Sequence, residues 1–239
     1  MTSRLLICSS VLLVLSLPLA AASLSGRVEL QDSRDPAVRK KKDYSSVVLW
    51  LESNEKSPSR PAPKVVRMVQ KDKTFTPHVL AIPTGSTVDF PNFDPIFHNA
   101  FSNYNGQVFD VGLYPPGSSR SVRFNRAGVV RVFCNIHATM SAVIVVLATP
   151  YFATTANNGS FEIPNVAPGE YTLRVFHERA TAATLDELSR KIVVGSDALV
   201  LPALTISEGG YLAIPHKNKY GKEYPPPPDE GGLYPSNKK

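Results

Sequence analysis

The stretch that decides the fold runs from residue 132 to residue 146 and reads VFCNIHATMSAVIVV. Val130, Val132 and Cys134 fall on one face by period-two alternation, which predicts a strand that ends with Cys134 pointing inwards. The apolar run SAVIVVLAT over 141–149 predicts the next strand. The short loop between these two strands therefore presents its side chains at one end of a β-structure.

That loop carries three side chains of the same chemical kind. Cys134, His137 and Met140 are spaced C-x2-H-x2-M and offer a thiolate, an imidazole and a thioether. With one more imidazole they make a trigonal His2Cys set with a weak axial Met, which favours copper. The spacing therefore predicts one copper ion bound at the end of this strand pair.

The missing imidazole is predicted to be His98, in the stretch FPNFDPIFHNAFS, which precedes Cys134 by 36 residues. The other histidines are assigned elsewhere. His78 is expected at the surface, His177 is expected to be structural, and His216 borders the C-terminal tail.

Short runs rich in Val, Phe and Tyr recur between clusters of Pro, Gly and Asn, and the chain has 21 Pro and 14 Gly. This pattern predicts an all-β protein. Residues 64–149 read as one run of short strands, and residues 151–207 read as a second run. The sequence TLDE at 184–187 matches a capping box and predicts one short helix.

Residues 1–22 are typical of a secretory signal peptide. Arg4 precedes an apolar run from Leu5 to Leu19 that is too short to span a bilayer comfortably, and small residues end at Ala22. An uncleaved anchor is the alternative. Cleavage would leave Cys134 as the single cysteine, which excludes an intrachain disulfide and predicts a periplasmic or secreted protein. The formal charge of +6, from 26 basic and 20 acidic residues, would become +5 with the loss of Arg4.

Residues 64–148 resemble the plastocyanin-like cupredoxins, through FTPHVLAIPTGSTVDFPNFDPIFHNAF and GSSRSVRFNRAGVVRVFCNIHATMSAVIVV. The resemblance implies a Greek-key β-sandwich with copper at one end. It also implies that His98, Cys134 and His137 are equatorial ligands, that Met140 is the axial ligand, and that Asn99 holds the two ligand loops together. Ile136 replaces a usual Pro, and the two-residue gap before Met140 is that of the amicyanin branch.

The string YFATTANNGSFEIPNVAPGEYTLRVFHE resembles bacterial methylamine-utilisation-like proteins, in which a carboxypeptidase-regulatory-like, transthyretin-type β-sandwich accompanies a cupredoxin. The expected organisation is a signal peptide (1–22), N-terminal strands and a linker (23–62), a cupredoxin domain (63–149), a smaller second sandwich (150–208) and a Pro-rich disordered tail (209–239). The motifs LSGRVEL and SVVLWLE are expected to belong to the second sandwich, with the cupredoxin inserted into it. The alternative places them as extra strands on the cupredoxin.

The predicted function is a one-electron carrier with one type 1 copper, and not an enzyme. After the expected loss of Cys8 with the signal peptide, the chain offers neither the second cysteine of a binuclear copper site nor the H-x-H clusters of multicopper enzymes, and a zinc site would leave Met140 unused. The edge of the His137 imidazole is expected to reach the surface. A redox protein with an acidic docking surface is the expected partner, and neither nucleic acid binding nor a membrane span in the mature chain is expected. The alternative is a non-redox or structural module that buffers or delivers Cu(I).

Overall fold

The computed structural model describes residues 22–53, 62–103, 106–212 and 215–226. The signal peptide expected over 1–22 lies outside them except for Ala22, and so do residues 54–61 of the linker. The all-β class is confirmed, because the described residues form eighteen strands and two short helices. The strands are β1 (Ala22–Gln31), β2 (Val48–Ser53), β3 (Val65–Arg67), β4 (Val69–Lys71), β5 (Thr74–Thr76), β6 (Val79–Pro83), β7 (Ser86–Pro91), β8 (Phe101–Ser102), β9 (Phe109–Asp110), β10 (Ser119–Phe124), β11 (Gly128–Phe133), β12 (Ser141–Leu147), β13 (Phe152–Thr154), β14 (Ser160–Val166), β15 (Gly169–Phe176), β16 (Arg190–Val194), β17 (Leu199–Val200) and β18 (Leu204–Ser207), and the helices are α1 (Pro36–Lys41) and α2 (Ala182–Leu188).

The first sandwich is built from residues 65–147. A five-stranded sheet in the order β6-β12-β11-β8-β9 faces a three-stranded sheet in the order β10-β7-β3. Their facing side chains form one apolar core that contains both Cys134 and Met140. The short ribbon of β4 and β5 completes this half of the molecule.

The second sandwich draws strands from both ends of the chain. One sheet has the order β14-β1-β17, with β18 also paired to β1, and the other has the order β13-β2-β15-β16. In these sheets Val28 pairs with Leu204 and Val48 pairs with Phe176. The N-terminal strands therefore pair with the C-terminal strands, as insertion of the first sandwich into the second requires. The domain limits at 63, 150 and 208 remain predictions.

The two sandwiches are in contact through strand β12, which is buried on both faces. Ala142, Ile144 and Val146 point into the core that contains Cys134. The alternate residues Val143, Val145 and Leu147 belong to a separate apolar cluster, in which they pack with Val48 and Phe176 of the second sandwich. A strand stretch covered on both sides is apolar without alternation, which explains the unbroken apolar run from Ala142 to Leu147.

The helices differ in detail from the prediction. Helix α2 is present, but its N-cap is Thr181, whose hydroxyl accepts the backbone N–H of Thr184 at 3.2 Å, and not Thr184 itself. Helix α1 was not predicted; Asp35 caps it and Pro36 occupies its first turn, a combination that favours a helix start. Neither helix among the described residues has the length and hydrophobicity that a membrane span needs.

The prediction that the whole tail from 209 to 239 is disordered is wrong for residues 215–226. This segment packs against the loop that follows β11, through hydrogen bonds and stacked rings. Its aromatic and histidine side chains supply the contacts that a merely Pro-rich composition does not suggest. Residues 227–239 lie outside the described part of the chain.

Candidate metal centre

The three side chains predicted as equatorial ligands converge at one end of the first sandwich. The sulfur of Cys134 lies 3.8 Å from Nδ1 of His98 and 3.6 Å from Nδ1 of His137. One ligand atom from each residue lies within 4.8 Å of the others, and all three residues are buried. Among the described residues no other group of His, Cys, Asp or Glu comes together in this way.

The loop between β11 and β12 positions two of these side chains. The backbone N–H of Cys134 donates to the carbonyl of Met140 at 3.0 Å, and the N–H of Met140 donates to the carbonyl of His137 at 3.1 Å. These bonds continue the β11–β12 ladder, whose last pair is Phe133 with Ser141. The loop is therefore closed at its base, and the fully buried Met140 side chain shares the core with Cys134.

Asp94 orients His98, the third of these side chains, and is not predicted from the sequence. Its Oδ2 lies 2.7 Å from Nε2 of His98, and both side chains are buried. Because an ionised carboxylate only accepts hydrogen bonds, Nε2 of His98 carries the proton and Nδ1 presents its lone pair to the sulfur. Asp94 is itself fixed by the backbone N–H groups of Asp72 and Lys73, at 2.6 and 2.9 Å.

Asn99 meets the Cys134 loop through its backbone, whereas its side chain bonds to residues at the end of β9 and just after it. Its Nδ2 donates to Oδ1 of Asp110 at 2.8 Å and to the carbonyl of Gly112 at 2.9 Å, on the loop after β9. The connection to the other ligand loop is made by the backbone, because the Asn99 N–H donates to the Cys134 sulfur. The amide group of the side chain thus braces the His98 loop from behind.

The Cys134 thiol is buried, and three backbone N–H groups point at its sulfur. Burial raises the pKa of the Cys134 thiol, and backbone N–H groups of Ile136, His137 and Asn99 oppose that shift. A metal ion would replace the proton, because thiolates and not thiols ligate metals. Two imidazole nitrogens beside a buried thiolate fit a soft or borderline ion such as copper.

His137 is only 8% exposed, so most of its imidazole is covered and at most an edge of the ring meets solvent. Tyr224, Pro225 and Pro226 of the C-terminal segment stand beside it. Together with the ligand loop they line a groove of about 500 Å³, which also touches Lys73. The path from solvent to the site therefore runs between the ligand loop and the C-terminal segment.

Comparisons with known proteins give matches to parts of the chain. A family model described as domain II of polysaccharide lyase family 4 matches residues 143–198, and no curated protein matches. A novel purple cupredoxin from Nitrosopumilus maritimus is 24% identical, with a TM-score of 0.31 over 36% of this chain and 100% of that one. A reduced amicyanin mutant is 18% identical, with a TM-score of 0.33 over 41% of this chain and 99% of that one.

A copper-containing nitrite reductase from Thermus scotoductus is 24% identical, with a TM-score of 0.34 over 51% of this chain, and only 28% of the reductase is covered. The structural neighbours are thus cupredoxins or contain copper. The carboxypeptidase-regulatory-like assignment of the second sandwich is not confirmed.

Proposed function

We propose that the protein is a type 1 copper protein that carries one electron at a time. The observation that supports this most directly is the meeting of two imidazole Nδ1 atoms and one buried thiol at the end of the first sandwich. His98, Cys134 and His137 would hold the ion, and Met140, buried in the same core, would be the weak axial ligand. Bound copper would supply the one-electron couple between Cu(II) and Cu(I).

The surrounding residues perform the tasks that such a site needs. Asp94 fixes the tautomer and the orientation of His98, and three backbone N–H groups stabilise negative charge on Cys134. Burial of the whole cluster excludes water, and closure of the ligand loop by backbone bonds limits its rearrangement. The proposal is for a carrier and not for an enzyme.

We further propose that the protein works after export to the periplasm, where it exchanges electrons with a redox protein that has an acidic docking surface. The signal-like sequence of residues 1–22 and the net positive charge support this proposal. The second sandwich would be a structural or interaction module of the carboxypeptidase-regulatory-like kind.

A second candidate is a module that buffers or delivers Cu(I) without a redox partner. The limited exposure of His137 favours it, because a covered ligand slows contact with partners. A visible spectrum of the copper-loaded, air-oxidised protein separates the two functions. A carrier shows an intense thiolate-to-copper band, whereas a Cu(I) buffer stays colourless in air.

The assignment predicts that Cys134→Ser abolishes this band while the circular dichroism spectrum keeps its β-sheet form. A hard hydroxyl cannot replace the soft thiolate as a copper ligand. An intense visible band that persists in the serine variant would refute the proposed site.

A further inference from the structure

The C-terminal segment, residues 215–226, contacts the backbone of the ligand loop directly. The Tyr224 hydroxyl donates to the carbonyl of Cys134 at 2.8 Å. The backbone N–H of Lys219 donates to Oδ1 of Asn135 at 3.0 Å, and the ring of His216 stacks on Phe133 with 3.9 Å between centroids. Three consecutive residues, the last of β11 and the first two of the ligand loop, are thus held from outside their own sandwich.

The same segment reaches the second ligand loop through Asp110. Nζ of Lys219 lies 2.7 Å from Oδ2 of Asp110. The other oxygen of that carboxylate accepts from the side chain of Asn99, which follows His98. One short segment therefore braces the loops of His98 and of Cys134 together.

The hydroxyl of Tyr224 lies at the centre of a directed chain of hydrogen bonds. The Cys134 carbonyl can only accept, so the hydroxyl hydrogen points to it. The hydroxyl oxygen then accepts from Nδ1 of His216 at 3.2 Å, which places the proton of the neutral imidazole on Nδ1. Loss of the hydroxyl would leave the buried Cys134 carbonyl without this donor.

The segment is an organised turn. Oδ1 of Asn218 accepts the backbone N–H groups of Tyr220 and Lys222, both at 3.0 Å. The backbone of Asn218 also bonds to Lys222 and Gly221, at 2.9 Å each, and Asn218 is only 9% exposed. A turn with this internal bonding presents Tyr224 and Lys219 from a fixed base.

We propose that the C-terminal segment, residues 215–226, positions the ligand loop of the metal centre and limits access to it. Tyr224 is a positioning residue that fixes the Cys134 backbone, and the segment confines access to His137 to the groove beside Pro225 and Pro226. The role of the segment at a metal centre rests on the proposed copper function. The bracing of the ligand loop by Tyr224 does not depend on copper and can be measured in the metal-free protein.

The test is Tyr224→Phe in the full chain, which removes one oxygen atom and keeps the ring. Tyr220→Phe is the matched control, because Tyr220 lies on the same turn, is 70% exposed and contacts Lys219, whereas the bond to the Cys134 carbonyl comes from Tyr224. In the metal-free protein, amide hydrogen exchange at Cys134 and Met140 should become about five-fold faster in Tyr224→Phe, the factor that corresponds to one hydrogen bond of about 1 kcal/mol. Tyr220→Phe should leave both exchange rates unchanged.

In the copper-loaded protein, Tyr224→Phe should also shift the reduction potential and the energy of the visible band relative to Tyr220→Phe. Equal exchange rates for the two variants would overturn the inference, even if both bind copper and are coloured. Suppose that exchange is faster in Tyr224→Phe but that the copper-loaded, air-oxidised wild-type protein is colourless. This result would support the bracing role and would refute the proposed electron-carrier function.

Discussion

Asp94 is the residue on which the orientation of His98 depends. Three donors converge on its carboxylate, namely the His98 imidazole and two backbone N–H groups. An asparagine has one acceptor oxygen and cannot satisfy all three. Partners of this kind, which orient a metal-bound imidazole, typically change metal affinity by about 10- to 100-fold when mutated.

We therefore expect Asp94→Asn to weaken copper binding by about 10- to 100-fold. A competition titration against a chelator measures this change. Asp89→Asn is the control, because the Asp89 carboxylate bonds the Ser121 hydroxyl at an exposed site of the same sandwich. Equal affinities in the two variants would contradict a positioning role for Asp94.

Met140 is predicted to be a weak axial ligand, and glutamine at this position separates ligation from packing. Met140→Gln should keep copper bound but shift the electron paramagnetic resonance spectrum and the reduction potential, because the axial ligand tunes both. Met68 is a fully buried methionine of the same core. Met68→Gln should lower stability by about 1–3 kcal/mol, the cost of burying an unbonded amide, without changing the spectrum. Identical spectra for wild type and Met140→Gln would exclude ligation.

At the scale of single residues, the sequence predicts the candidate metal ligands better than it predicts the residues that hold those ligands in place. Cys134, His98 and His137 could be found because their residue types and spacing belong to copper chemistry, and the structure brings them together. Asp94 could not, since no local pattern shows that its carboxylate meets the His98 imidazole in the folded loop. The side-chain partners of Asn99 depend on where the loop after β9 returns, and no local pattern records that.

Strand β12 is the element through which the two sandwiches are in contact. A substitution on the face of β12 that packs against the second sandwich tests this contact. Val145 points away from the core that contains Cys134 yet is only 1% exposed, because the second sandwich covers it. Val145→Thr keeps the shape and places an unbonded hydroxyl there, so the free energy of unfolding should fall by about 1–3 kcal/mol.

Val200→Thr is the control for this measurement, because Val200 is 72% exposed, and its effect should stay within about 0.5 kcal/mol. Urea unfolding measures both variants. Equal stabilities would mean that the second sandwich does not cover this face in solution.

The elements also show where sequence patterns stop being decisive. The strands of SVVLWL and SAVIVVL were predicted from apolar runs, but a run cannot say which second layer covers it. For helix α2, two threonines three residues apart both suit an N-cap, and the chain uses Thr181. The C-terminal segment was misjudged because its order comes from long-range contacts with the ligand loop.

On the scale of the whole molecule, the arrangement is a stack of four main sheets with three apolar layers between them. The middle layer lies between the two sandwiches. In it, side chains of β12, the strand that follows the ligand loop, pack directly against side chains of the second sandwich. The order of motifs along the chain indicated insertion, because paired motifs flank the cupredoxin-like part. The layer between the sandwiches could not be foreseen, because it depends on how two folded units meet.

A polar contact supplements that layer and makes it sensitive to pH. His78, just before β6, bonds through Nε2 to Oε2 of Glu178, just after β15, and Arg131 lies 3.7 Å from the other oxygen. The hydrogen bond with Glu178 raises the pKa of His78, against burial and the nearby charge of Arg179. Burial alone would raise the pKa of Glu178, but the bond with His78 and the neighbouring positive charges leave it lowered.

Because the folded-state pKa of His78 is raised, its contribution to stability is fully present below the ordinary value of 6.5 and is lost as the pH rises through the raised pKa. The His78 side chain is 46% exposed, so solvent screening limits the coupling to about 0–1 kcal/mol. We expect a double-mutant cycle of His78→Gln and Glu178→Gln, measured by urea unfolding, to give its largest coupling near pH 6 and almost none near pH 9. The cycle cancels the titration of the metal-site histidines, since that is common to all four proteins. A coupling that stays constant or grows with pH would show that the charged form of His78 does not hold the two sandwiches together.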